Sequence, residues 1–304
     1  MHKQPLLLQR GNSVAIVAPA GKVRHEDLSY GMEVLVSWGL NITVGKHVFT
    51  DMNYFSATDE QRTADFQQAL DNPDIKAIFC ARGGYGCTRI LPELKWENFK
   101  KNPKWIIGYS DITLLLSKIQ QCGVVGIHGP MPGSFDKYKN NESLNYLKKI
   151  LFDGKIEYCL SASTLKLFNN KPMVEGILTG GNLSMIQTLI GTEFYLTTSD
   201  KILFLEEVDE YPYRIDRMLR HLYLAGVFKN IKGLILGDFS MIPQENGFPY
   251  DIKNMVESLL PSTIDFVLYN FPAGHDKLNY PIVIGLPAKI SVEKEKIFFY
   301  QRIV

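Results

Sequence analysis

The sequence predicts an α/β fold in two domains, on three observations. In the first half, apolar runs that do not alternate, such as "SVAIVAP", "IKAIFC" and "KWIIG", are separated by helical segments. Strands that are apolar on both faces belong to a parallel sheet covered by helices on each side. Around residues 152–172 the pattern loosens into a polar, mixed stretch, "FDGKIEYCLSASTLKLFNNKP". Beyond it the texture changes to shorter β candidates, and a chain of 304 residues is about twice the usual size of one core. Residues 1–155 are therefore expected to form an N-terminal α/β domain, 156–173 a linker, and 174–304 a smaller, more β-rich α/β or α+β domain.

Each element has a local reason. "SVAIVAP" is the first strand, "HEDLSYGMEVLVSWG" a helix closed by a glycine, and "NITVG" the second strand. In "TDEQRTADFQQALDNP", Thr58 and Gln61 have capping-box spacing and Pro73 ends the helix. "IKAIFCARGGYG" is a strand running into three glycines, and "KWIIGYSD" and "GVVGIHGP" repeat the strand pattern. In the second half come "GILTGGNLSMIQTLIGT", a strand in "KILFLEE", a helix in "YRIDRMLRHLYLAG" and a strand in "IKGLILGDF". Short β candidates follow from "DFVLYNFP" to "KIFFYQRIV". Ligands of parallel sheets bind beyond the carboxyl ends of the strands, where both the glycine loop and Ser110 are expected to lie.

Composition narrows the functions. An apolar fraction of 45%, a charged fraction of 21% and a net charge of +1 are those of an ordinary soluble protein and ask for neither nucleic acid nor an anionic membrane. No stretch approaches the roughly 20 apolar residues of a membrane span. "GNSVAIVAPA" offers only Val14 to Ala18 before a proline, too short for a secretory leader, so the chain reads as cytoplasmic. Cys80, Cys87, Cys122 and Cys159 are widely spaced, without zinc-site spacing, and read as reduced thiols with no metal. Cys80 and Cys87 flank the glycine loop.

Several residues have chemical potential, each with a plainer alternative. Ser110 in "IIGYSDITLLL" is either a helix N-cap or a nucleophile on a strand-to-helix elbow. "CARGGYG", residues 80–86, lacks the spacing of a dinucleotide loop or P-loop, leaving a substrate cradle, an oxyanion hole or a simple tight turn. Among the histidines, His221 sits in a helix and reads as structural, His128 follows a strand and could enter the cleft, and His275 occupies a Pro- and Gly-rich loop. Glu206 and Glu207 end a strand, but with Asp209 and Glu210 they could equally pair with Arg214 and Arg217.

Taken together, six collinear blocks resemble the LD-carboxypeptidase (muramoyltetrapeptide carboxypeptidase) family of serine peptidases. They are "VAIVAPAG", "FSATDEQRTADFQQALDNPDIKAIFCARGGYG", "IGYSDITLLL", "GILTGGNLSMIQTLIGT", "LFLEEVDEYPYRIDRML" and "AGHDKLNYPIVIGLPAKI". The resemblance implies a Rossmann-like N-terminal domain, a swivelling-type C-terminal domain and a site where the two meet. It maps the nucleophile to Ser110, the base to His275 and the acid to Glu206, with Glu207 as the competing choice. It maps the oxyanion donors to the backbone N–H groups of Gly84 and Asp111, and places Gly83 and Arg82 against substrate; Arg82 could instead form a structural ion pair. No cofactor or metal is implied. The implied reaction is release of the terminal D-alanine from cytoplasmic murein tetrapeptides during peptidoglycan recycling, and a homodimer is the base-rate expectation. The alternatives are a microcin-immunity-type peptidase acting on aminoacyl or peptidyl nucleotide amides, and a non-catalytic muropeptide-binding protein. Ser110 and Glu206 lie 96 positions apart (206 − 110), shorter than expected for the immunity branch.

Overall fold

A computed structural model describes residues 2–162, 167–168, 171–244, 247–264 and 266–303. The chain forms two compact units: one runs to Gly154 and adds Tyr280–Gly285 and Ile303, and the other comprises Lys155–Asn279 and Leu286–Arg302.

In the first unit, strands β1 (Ser13–Val17), β2 (Asn41–Val44), β3 (Ile75–Cys80), β4 (Trp105–Gly108) and β5 (Gly126–His128) are mutually parallel. Every residue of β4 is buried and β3 is buried at all but one position, whereas β2 at the edge alternates in exposure. That contrast is the physical reason the central strands read as unbroken apolar runs. Helix Asp59–Asp71 starts on the capping box anticipated from sequence, with Thr58 Oγ1 accepting the Gln61 N–H at 3.3 Å and Gln61 Oε1 accepting the Thr58 N–H at 3.2 Å.

The second unit begins with β6 (Lys155–Ser161), continues through β7 (Leu167–Phe168), β8 (Met173–Asn182), β9 (Lys201–Val208), β10 (Gly233–Ser240) and β11 (Val267–Leu268), and ends with β13 (Pro287–Glu293) and β14 (Lys296–Arg302). Between them β12 (Ile282–Ile284) returns to the first unit and pairs antiparallel with β5. The first sheet is therefore ordered β12-β5-β4-β3-β1-β2, the second β6-β14-β13-β8-β9-β10-β11-β7. Two features differ from the sequence reading. Residues 156–161, expected within a connection, pair as β6 with β14, because Ile156 and Tyr158 alternate inward against a neighbour some 140 positions away; residues 163–166 and 169–170 of that stretch lie outside the described residues. The parallel sheet also carries an antiparallel edge supplied from late in the chain, which no local pattern could announce.

Strands β8 to β11 run parallel. On them pack helices Leu183–Leu189 and Pro212–Leu224, the latter burying Ile215, Met218, Leu219 and Leu222 at helical spacing. Burying such side chains contributes about 1.5–3 kcal/mol each. Among the described residues, no helix is long and apolar enough to cross a membrane.

Candidate active site

In the first unit the loops after β1, β3 and β4 converge. The Ala81 N–H donates to Val17 O at 2.7 Å, and the Gly21 N–H to Gly83 O at 3.0 Å. Beneath them lies Arg62, 2% exposed, whose Nη1 donates to Gly86 O at 3.2 Å and to Pro19 O, and whose guanidinium sits 4.7 Å from the centre of the Phe55 ring and pairs with Asp59. A Cβ on Gly86 would meet Arg62 Nη1 at 2.6 Å, so this glycine makes room for the cation that joins the two loops. Sequence reading passed over Arg62 because an arginine in an amphipathic helix looks like a solvated one.

Ser110 lies two residues past the end of β4 with φ +62°, a left-handed conformation costly for a non-glycine residue. Its short turn, Ser110–Ile112, leads into helix Thr113–Gln121, and no side-chain cap is made at either start. The serine is an elbow residue rather than a cap. A Cβ added to Gly83 would sit 3.1 Å from Ser110 Oγ, so the bare backbone of the glycine loop lies against the hydroxyl. Among the described residues, neither the Gly84 N–H nor the Asp111 N–H donates to an acceptor. The Asp111 side chain is occupied differently: Oδ2 accepts the Cys87 N–H at 2.7 Å, and burial pushes its carboxyl above the usual range against that bond and the Arg62 charge. It ties the exit of the glycine loop to the serine turn. Arg82 is exposed, its Nη1 donates to Lys22 O at 3.2 Å, and its charge is among those that hold the Asp27 carboxyl below the usual range. Cys80 and Cys87 are fully buried, and burial raises both thiols. His128 is also fully buried, edge-on to Tyr109, and so is walled off from any cleft.

The second unit holds the acid and histidine candidates. Glu206, fully buried at the end of β9, accepts from His275 Nδ1 with Oε2 at 2.7 Å. Side chains alternate along a strand, so Glu207 faces the other way. There it accepts from Asn182 Nδ2, the Ser184 N–H and Ser184 Oγ at 3.1, 2.9 and 2.6 Å, holding the start of helix Leu183–Leu189. Of the remaining cluster, Glu210 pairs with Arg214 at 3.3 Å. His221 is half-buried, with Nδ1 2.9 Å from Gln187 Nε2. The His275 turn needs close backbone approach: Gly274 has φ +141°, and its N–H donates to Asn279 Oδ1 at 3.2 Å. On the Glu207 side, at Ser184, a cavity of about 760 Å³ is lined also by Gln187, Tyr213, Arg214, Arg217 and His221, among others. Asp238, at the carboxyl end of β10, was missed by sequence reading, although an acid ending an apolar strand in "LILGDF" is the same signal that singled out "LFLEE".

An elbow serine and a buried carboxylate–imidazole pair are the groups with which a serine hydrolase is built. The profile of the LD-carboxypeptidase N-terminal domain matches residues 14–129, and that of the LD-carboxypeptidase C-terminal domain matches residues 175–290. The chain belongs to the LD-carboxypeptidase family and is a serine-type hydrolase of that class. It is 31% identical to a probable murein peptide carboxypeptidase of Bacillus subtilis, over 97% of this chain and 93% of that protein. It is similar to the crystal structure of a muramoyltetrapeptide carboxypeptidase from Oxalobacter formigenes, with a TM-score of 0.84, 31% identity, and 96% and 99% of the two chains covered. An MccF-like protein from Bacillus anthracis aligns with a TM-score of 0.88 at 26% identity, covering 99% and 100% of the two chains; MccF is a microcin self-immunity protein.

Proposed function

We propose that the protein is a serine LD-carboxypeptidase that removes the terminal D-alanine from murein tetrapeptides in the cytoplasm, working with Ser110, Glu206 and His275 as its triad. The observation that carries the reading is the 2.7 Å hydrogen bond from His275 Nδ1 to the buried Glu206 carboxylate. With Nδ1–H held by the carboxylate, Nε2 keeps its lone pair and can serve as a base. His275 takes the Ser110 proton as Oγ attacks the carbonyl of the diamino acid's L-centre. The oxyanion is received by the Gly84 and Asp111 N–H groups, donors worth roughly 3–4 kcal/mol each by mutation. His275 then returns the proton to the departing amine of D-alanine, and water hydrolyses the acyl-enzyme. Gly83 gives the substrate room beside Oγ, and Arg82 faces its carboxylate. The same reading makes the protein a homodimer that engages neither nucleic acid nor membrane.

A second reading is the microcin-immunity-type alternative that the sequence resemblance leaves open, hydrolysis of an aminoacyl nucleotide amide, and the MccF-like structure shares this fold. One assay set separates the two. D-alanine release from L-Ala-γ-D-Glu-diaminopimelate-D-Ala is measured for wild type and Ser110→Ala with a chelator present, beside turnover of an aminoacyl sulfamoyl nucleotide. Chelator-resistant release, lost in the variant and faster than nucleotide turnover, is the expected result. Unchanged release by Ser110→Ala would refute the mechanism. Faster turnover of the nucleotide would select the second reading, and tight binding of intact tetrapeptide without turnover would mean a binding protein.

A further inference from the structure

The segment that carries His275 is gripped by a residue outside the triad. The Asp238 N–H donates to Ala273 O at 2.9 Å, and Asp238 Oδ2 accepts the Asp276 N–H at 3.3 Å. These two bonds bracket Gly274 and His275 from either side. The approach is close enough to require glycines: a Cβ on Gly237 would lie 2.3 Å from Ala273 O, and one on Gly274 would lie 3.0 Å from Asp238 Cβ and 3.2 Å from Glu206 Oε2. Two carboxyl groups from adjacent parallel strands, Glu206 on β9 and Asp238 on β10, thus flank one glycine, and the next residue is the histidine.

We propose that Asp238 is a positioning residue for His275: it clamps the turn that presents the imidazole and supplies a second negative charge when that imidazole takes up a proton. The proposal rests on His275 being the base. The ionisable groups facing Asp238 are Asp276, Glu206 and His275. Burial, with the Asp276 and Glu206 charges adding to it, pushes the Asp238 carboxyl up to about 7 against the Asp276 N–H and the His275 charge. Asp238 therefore gains its charge near neutral pH, and its titration is coupled to that of its neighbours.

The test compares wild type, Asp238→Asn and Asp238→Ala. The asparagine still accepts the Asp276 N–H but carries no charge; the alanine loses both. The pH profile of kcat/KM on murein tetrapeptide is recorded with melting temperatures. In the same proteins without substrate, the His275 ring is followed by NMR against pH, its signal identified by its loss in His275→Gln. In Asp238→Asn the acid limb and the ring midpoint both move to lower pH by about half a unit or more, since removal of a nearby anion disfavours imidazolium, and the plateau kcat stays within about threefold. In Asp238→Ala the plateau kcat falls about tenfold or more, with KM little changed, as expected when the base is less well held. Superimposable ring titrations of wild type and Asp238→Asn would overturn the proposal, as would an alanine variant with the wild-type plateau. A ring midpoint that moves in proteins inactive on the peptide would uphold Asp238 while refuting the substrate. Should the alanine variant fail to fold, the asparagine comparison decides.

Discussion

Gly83→Ala probes the space in front of the nucleophile. The added Cβ would sit 2.9 Å from Ser110 Cβ, 3.1 Å from Ser110 Oγ and 3.5 Å from Met131 Cε. Ordinary carbon contact begins near 3.4 Å, so the methyl is 0.5 Å too close to Ser110 Cβ (3.4 − 2.9). Rotating the hydroxyl away cannot relieve a contact at Cβ. The glycine loop resists retreat because Gly83 O is held by the Gly21 N–H at 3.0 Å and Arg62 grips Gly86 O. Ser110 resists because it is already in a left-handed turn between β4 and a buried helix. Overpacking of this kind costs about 1–3 kcal/mol of stability. A displacement of about half an ångström at the attacking oxygen costs roughly 10- to 100-fold in kcat, since a 1 Å error costs about 100-fold. The assay is D-alanine release from murein tetrapeptide, with kcat and KM measured separately and folding checked by circular dichroism. The expected result is a 10- to 100-fold loss in kcat with KM within about threefold. A folded Gly83→Ala protein with wild-type kcat would refute the placement of the glycine loop against a working nucleophile.

Ser110→Gly and Ser110→Ala should both lack activity, but thermal unfolding should show the glycine variant more stable by about 1 kcal/mol, because only glycine adopts φ +62° without a steric penalty; equal stabilities would argue against the strained elbow. Glu206→Gln should lower kcat by about 100-fold or more with its melting temperature little changed, because the amide carries no charge to hold the imidazolium and can donate to Nδ1, favouring the wrong tautomer of His275. Glu207→Gln should instead lose about 1–3 kcal/mol of stability while retaining kcat, since its carboxylate serves Ser184 and Asn182; the reverse pattern in kcat would exchange the two glutamates. Asp238 has a folded-state pKa raised from 3.8 to about 7, so the folded form holds the extra proton between those values and wild type loses stability as pH rises through them. Denaturant titrations should therefore find Asp238→Asn gaining on wild type between pH 4 and pH 8, by about 1–2 kcal/mol for a carboxyl that remains partly solvated; a constant difference would show that Asp238 titrates normally.

Much of the framework is written in neighbouring residues. The Thr58 capping box, the unbroken apolar strands β3 and β4 and the inward stripe of helix Pro212–Leu224 arise from interactions within a few positions, and these were legible. So was Ser110 at the end of a strand, though not its role: cap and elbow share the same residues and differ in one backbone angle, φ +62°, that the surrounding packing imposes. The glutamate doublet was ambiguous for the same kind of reason. Both residues lie just before β9 ends at Val208, and which of them meets His275 depends on which sheet face the returning chain crosses, 69 positions after Glu206.

By itself, then, the sequence determined the two-part α/β organisation and the set of groups available for chemistry, because hydrophobic period, caps and glycine placement act over short range. Only the tertiary structure decided that Glu206 rather than Glu207 holds His275, that Asp238 grips the same turn, that buried Arg62 joins two loops, and that β6 and β12 complete their sheets. These are pairings across tens to well over a hundred positions, set by strand register and by close backbone approach at glycine, and neither quantity exists until the chain has folded.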